Sequence, residues 1–131
     1  MILNAYLAIG LGSALGSVLR YGVSLASMAV LGGHFPWGTL LVNVLGSCLI
    51  GWLAATTTRL PRSALARQQP LLMAGFCGGF TTFSLFSLET LHLAQQGSLG
   101  LALLYGIGSL PLCVAAAWMG ERLAFLNQPV A

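Results

Sequence analysis

The sequence contains no lysine and no aspartate; five arginines and two glutamates carry all of its formal charge in 131 residues. Without lysine a polybasic patch for lipid headgroups or nucleic acid is excluded, and the net +3 arises from scattered arginines. Two carboxylates, no His–Glu spacing for zinc, no Gly-x-Ser-x-Gly and no phosphate-cradling loop leave nothing from which to assemble a catalytic centre. Cysteine is sparse as well. Cys48, Cys77 and Cys113 are odd in number, widely spaced and set in apolar stretches, the pattern of small packing residues and not of a zinc site or a disulfide framework.

Charged side chains make up 5% of the chain, whereas soluble domains carry about a quarter. What fills their place is apolar: 57% of residues are hydrophobic and the mean hydropathy is +0.90. From Met1 to Arg59 only Arg20 interrupts an uncharged run, and from Gln68 to Gly120 only Glu89 does. Each run exceeds the roughly 20 apolar residues that cross a bilayer, so each holds more than one span. The residues before Arg20 carry no basic n-region, so the first span is expected to be retained and not cleaved as a leader.

Breakers divide these runs into four predicted transmembrane helices, at about 4–31, 37–59, 71–94 and 99–123, in one all-α membrane domain over 1–131. Gly32-Gly33-His34-Phe35-Pro36 closes the first, Arg59 to Pro70 is the one polar connection of any length, and Gln95-Gln96-Gly97-Ser98 reads as a tight turn. Trp37, Trp118 and Phe125 fall near predicted ends, where aromatic rings favour the interface. Ala8, Gly12 and Gly16, with Ser47 and Gly51 in the second span, form small-residue stripes that permit close helix packing. A single four-helix bundle fills its own centre with side chains, so transport is expected from an oligomer with pathways at subunit interfaces.

The third span is anomalous. In Gly75-Phe76-Cys77-Gly78-Gly79-Phe80-Thr81-Thr82-Phe83-Ser84-Leu85-Phe86, two glycines weaken the helix by about 1 kcal/mol each, and Thr81 or Thr82 can cap a new start. Two half-helices meeting near the midplane would expose carbonyl and amide ends for ions. An intact helix whose glycines admit a neighbour is the other reading. Phe83 and Phe86 share a face, and their positively polarised ring edges suit an anion, although packing or lipid contact would explain them too. Asn43 either donates to an anion or bonds another helix. Tyr105, Ser109 and Cys113 line one stripe of the fourth span, as helix glue or as a polar track. Arg20, inside a span, either draws anions into a vestibule or pairs with Glu89. His92 is placed at the interface and His34 in a loop without metal partners.

Three segments together resemble the Fluc/CrcB family of fluoride channels: Gly12 to Tyr21, Gly38-Thr39-Leu40-Leu41-Val42-Asn43 with Gly46, and Gly75 to Phe86. The resemblance implies an antiparallel, dual-topology homodimer with two pores and passive fluoride exit across the inner membrane of a microbe. It implies a broken third helix and a central structural sodium ion on the carbonyls of Gly78 and Thr81 from both subunits. Phe83 and Phe86 would turn ring edges to fluoride; Asn43, Arg20, Thr39, Ser84, Tyr105 and Ser109 would line the pore. Glu89 matches an acidic residue after the phenylalanines. Leu85 stands where the family commonly has threonine, and Cys113 where it has a hydroxyl.

Two other functions are weighed against this. A proton-coupled drug exporter needs an embedded acid early in the chain, and none lies between Met1 and Leu88. A membrane anchor leaves the third span unexplained. One asymmetry bears on orientation: Arg59, Arg62, Arg67 and Arg122 fall on one predicted side and no arginine or lysine in the opposite loops. The positive-inside rule favours one insertion, whereas an antiparallel homodimer needs both.

Overall fold

The computed structural model describes Ile2–Leu126. Helix α1 spans Ile2–Leu31, α2 Trp37–Arg59 and the short α3 Ala64–Arg67. A wide π-helical segment, Pro70–Cys77, leads into α4 (Gly78–Phe80); α5 covers Ser84–Gln95 and α6 Leu99–Leu126. Among the described residues four stretches are long and apolar enough to cross a membrane: Asn4–Leu31, Trp37–Arg59, Pro70–Gln95 and Leu99–Leu126. They coincide with the predicted spans, the third one residue longer at each end and the fourth extending to Leu126.

In the most apolar stretch of each span only 11–28% of the residues are buried, and leucine, valine and isoleucine side chains face outward, most densely along α1 and α6. Apolar surface on that scale needs a hydrocarbon solvent. The connections are short. Gly97, at φ 81°, ends α5 with Ser98 N–H donating to the Leu93 carbonyl and Gly97 N–H to that of Ala94, the double closure that a left-handed residue permits. Ser63 starts α3 by accepting from the Ala66 N–H at 3.1 Å.

Packing follows the small residues. Helix α1 lies on the Pro70–Cys77 segment and α4, α2 lies along α6, and α5 packs on α6. Gly79 sits against the backbone of Ser13, where an added Cβ would stand 2.8 Å from the Ser13 Cα. Gly12 and Gly16 meet the backbone of the third crossing from the other side, so the small-residue stripe of α1 is an interface within the chain. Gly51 likewise abuts Ala117 of α6. At the arginine-rich end, the Arg59 guanidinium lies 3.3 Å above the Phe125 ring and that of Arg122 lies 5.0 Å from Trp118.

Candidate ion pathway

The glycine pair is helical: Gly78 has φ −63° and ψ −36°. The helix stops three residues further on. Thr81 is extended at φ −85°, ψ 160°, and helical conformation resumes as a helix at Ser84. The sequence places the weak point at Gly78-Gly79, but Gly79 is used for contact with α1 while Gly78 stays open, and the β-branched Thr81 accepts the extended backbone without strain. Of the two candidate caps, Thr82 serves: its Oγ1 accepts from the Leu85 N–H at 3.2 Å. Thr81 instead donates its hydroxyl to the Cys77 carbonyl at 2.9 Å.

Asn43 reaches this junction from α2. Its Nδ2 donates to the Thr82 carbonyl at 2.9 Å, and its Oδ1 accepts from the Thr82 N–H at 2.8 Å. Both backbone groups of one residue are thus satisfied by one carboxamide. The inter-helix bond that the sequence left as one of two readings exists, and it takes one of the two amide hydrogens, leaving the other. Among the described residues no hydrogen bond reaches the carbonyls of Gly78 or Thr81, and Gly78 is exposed at mid-span. Unpaired carbonyls are hard, uncharged ligands of the kind that hold alkali cations in membrane proteins. One chain provides two, too few to replace a hydration shell, so a cation there needs further oxygens from outside this junction. No group of three or more His, Cys, Asp or Glu able to hold a metal occurs among the described residues.

A groove of about 400 Å³ opens beside the junction, lined by Asn43, Gly78, Thr81, Thr82, Phe83, Phe86, Ser109 and Cys113. Phe83 is 73% exposed, while Phe86 is half-buried; their ring centroids are 5.6 Å apart at 40°. Phe86 also packs on Tyr105 at 5.0 Å. Ser84 is exposed, its hydroxyl 3.3 Å from that of Thr82. The fourth-span stripe is less open than its spacing suggests. Tyr105 is buried, its hydroxyl donating to Glu89, and Ser109 donates to the Tyr105 carbonyl in its own helix. Each hydroxyl must turn from its present partner before it can donate to an anion.

A second cavity, about 240 Å³, lies toward the end of the span and is lined by His34, Phe35, Thr39, Glu89, His92 and Gln96 among others. Glu89 stands at its inner wall, where Oε1 accepts from Thr39 and Oε2 from Tyr105, both at 2.8 Å. This lock joins α2, α5 and α6 and was not anticipated. The only signal for it was an acid in an apolar span, which must find donors. Arg20 is half-buried on α1, and the suggested Arg20–Glu89 pair does not form: both glutamate oxygens are taken by hydroxyls.

The junction, the two phenylalanines and the asparagine thus converge on one mid-membrane groove. Residues 7–121 match the family model described as CrcB-like protein, Camphor Resistance (CrcB).

The chain belongs to the CrcB family.

The match includes all three segments on which the resemblance rested. A CrcB-family relative from Thermus thermophilus, named fluoride-specific ion channel FluC, is 50% identical over 123 residues, covering 92% of this chain and 95% of its own. Proteins of the same name from Paramagnetospirillum magneticum and Magnetococcus marinus are 46% and 51% identical, covering 91% and 86% of this chain and 94% and 90% of theirs.

Proposed function

We propose that this CrcB-family chain is a fluoride channel and not an enzyme, a multi-pass protein of a bacterial plasma membrane that lets cytoplasmic fluoride leave passively. The observation that carries this reading is the mid-membrane groove where Phe83, Phe86 and Asn43 converge on a non-helical junction. The relatives named as fluoride-specific channels support it at about half identity over nearly the whole chain.

Fluoride protonated outside enters as neutral hydrogen fluoride, loses its proton in a more alkaline cytoplasm and is trapped. A passive pore then suffices, because the membrane potential drives an anion outward by about 2.3 kcal/mol per 100 mV. In this reading the third crossing is a broken helix. The ring edges of Phe83 and Phe86 face the ion with weak, positive polarity, and weak contact lets it go again. The free amide hydrogen of Asn43, together with the hydroxyls of Ser84, Tyr105, Ser109 and Thr39, replaces parts of the hydration shell. Arg20 raises the local anion concentration at the pathway's approach.

Two copies arranged antiparallel would close the groove over exposed Phe83 and form two pathways. The carbonyls of Gly78 and Thr81 from both copies would hold a sodium ion, which supplies a fixed positive charge and braces the junctions. Purified protein in liposomes tests the reading: with a potassium gradient and valinomycin, a fluoride electrode should record rapid efflux. Chloride passing as readily would sink the selectivity, and no flux at all would return the chain to the class of membrane anchors.

A further inference from the structure

In an uninterrupted helix the Thr82 N–H would donate four residues back, to the Gly78 carbonyl, and the Thr82 carbonyl would accept from the Phe86 N–H. Here both groups turn to Asn43 instead, at 2.8 and 2.9 Å. The carboxamide is the one uncharged side-chain group, shared with glutamine, that offers a donor and an acceptor side by side, as a peptide does. Among the described residues Asn43 is the one side chain from another crossing that bonds the backbone of 81–83.

We propose that Asn43 is the positioning residue of the pathway: by occupying both backbone groups of Thr82 it keeps the third crossing from closing into a continuous helix, leaves the Gly78 carbonyl free and holds Phe83 and Phe86 on the groove. The proposal rests on the channel reading but concerns how the site is held, not what passes through it. Its physical basis is that hydrocarbon supplies no hydrogen bonds, so backbone groups released at this depth must find partners within the protein. If Asn43 lets go of the Thr82 N–H, the nearest acceptor in sequence register is the Gly78 carbonyl. The helix then repairs itself and the carbonyl is lost to ions. Gly78 is well placed for that repair, being helical already.

Position 43 therefore tolerates few replacements. Aspartate keeps an acceptor for the Thr82 N–H but sets a charged oxygen against the Thr82 carbonyl. Leucine, similar in size, offers neither group. The test is solid-state NMR of full-length protein in liposomes, labelled with ¹³C at threonine, with fluoride efflux measured on the same preparations. In N43L the Thr81 Cα and carbonyl shifts should move from extended toward helical values, those of Thr82 should leave their wild-type values, and efflux should fall by about tenfold as the Gly78 carbonyl is lost to ions. Efflux that falls while both threonines keep wild-type shifts overturns the proposal, because Asn43 then acts only by touching the ion. Should N43L fail to fold, the wild-type chain with the α-hydroxy acid analogue of threonine at 82 lacks the N–H that Asn43 accepts. Its efflux should drop about threefold, as for one neutral hydrogen bond, and unchanged efflux overturns the proposal. Wild-type protein without fluoride efflux defeats the channel reading instead, and the NMR shifts still decide the role of Asn43.

Discussion

The two halves of the third crossing are held in opposite ways. Before the junction, Pro70–Cys77 and α4 are pressed backbone to backbone on α1, through Gly75 and Gly79 on one side and Gly12 and Gly16 on the other. Among the described residues the one inter-helix side-chain bond in that half is a long one, from the Ser17 hydroxyl to the Gly79 carbonyl at 3.4 Å. After the junction, α5 makes few backbone approaches and is tethered by polar side chains: Asn43 at its head and the Glu89 lock with Thr39 and Tyr105 a turn and a half along. Close packing has no adjustable part, whereas a hydrogen bond can exchange its partner. The first half is therefore the frame, and the second half is where an ion can compete for groups the protein already uses.

Substitutions that strike each half should break this contrast, and the largest effect belongs to the frame. Gly79→Leu sets a side chain against the Ser13 backbone, which cannot yield as a flexible side chain would. It should abolish monodisperse protein on size-exclusion chromatography, since the overpacking costs at least about 1–3 kcal/mol. Next come the rings. Phe83→Ile and Phe86→Ile should leave folding intact yet cut fluoride efflux by about tenfold each, the loss of a favourable ring-edge contact of about 1 kcal/mol or more. Unchanged rates would remove the rings from the mechanism.

The tether is milder. Glu89→Gln keeps the shape but turns two charge-assisted bonds into neutral ones, and its amide group opposes one of the two hydroxyl donors. Thermal unfolding in detergent should register a loss of about 1–2 kcal/mol with the helices retained by circular dichroism. A loss as severe as that of Gly79→Leu would erase the distinction between frame and tether. The smallest effect is expected far from both, at the Arg59–Phe125 contact: Phe125→Leu should cost about 0.5–1 kcal/mol and leave efflux unchanged.

Much of this was legible in the residues. Four apolar runs bounded by Gly-Gly-His-Phe-Pro, an arginine-bearing loop and Gln-Gln-Gly-Ser mark the crossings, because bilayer thickness and breakers act locally. Phe83, Phe86, Asn43 and Thr82 could be singled out for the same reason: polar or paired aromatic groups inside a span demand an explanation. Their partners were not legible. Asn43 and Thr82 are 39 residues apart, Thr39 and Glu89 50, and no spacing rule links them. The glycines misled for a related reason. Gly78-Gly79 weakens a helix in isolation, but against α1 the missing side chain of Gly79 secures it, and the backbone turns extended only at Thr81. Arg20 misled too, since its charge suggested a pair with Glu89 that two hydroxyls had already satisfied.

The sequence by itself determined that this chain lives in a bilayer, how many times it crosses, and which segments tie it to the CrcB family, because hydropathy, length and motif are properties of the chain read in order. Only the tertiary structure decided where the third crossing leaves the helix and what occupies the backbone groups released there. Those outcomes depend on which side chain of another helix arrives within 3 Å of a given peptide. In a medium without water, that arrival fixes which polar groups are closed and which remain open to an ion.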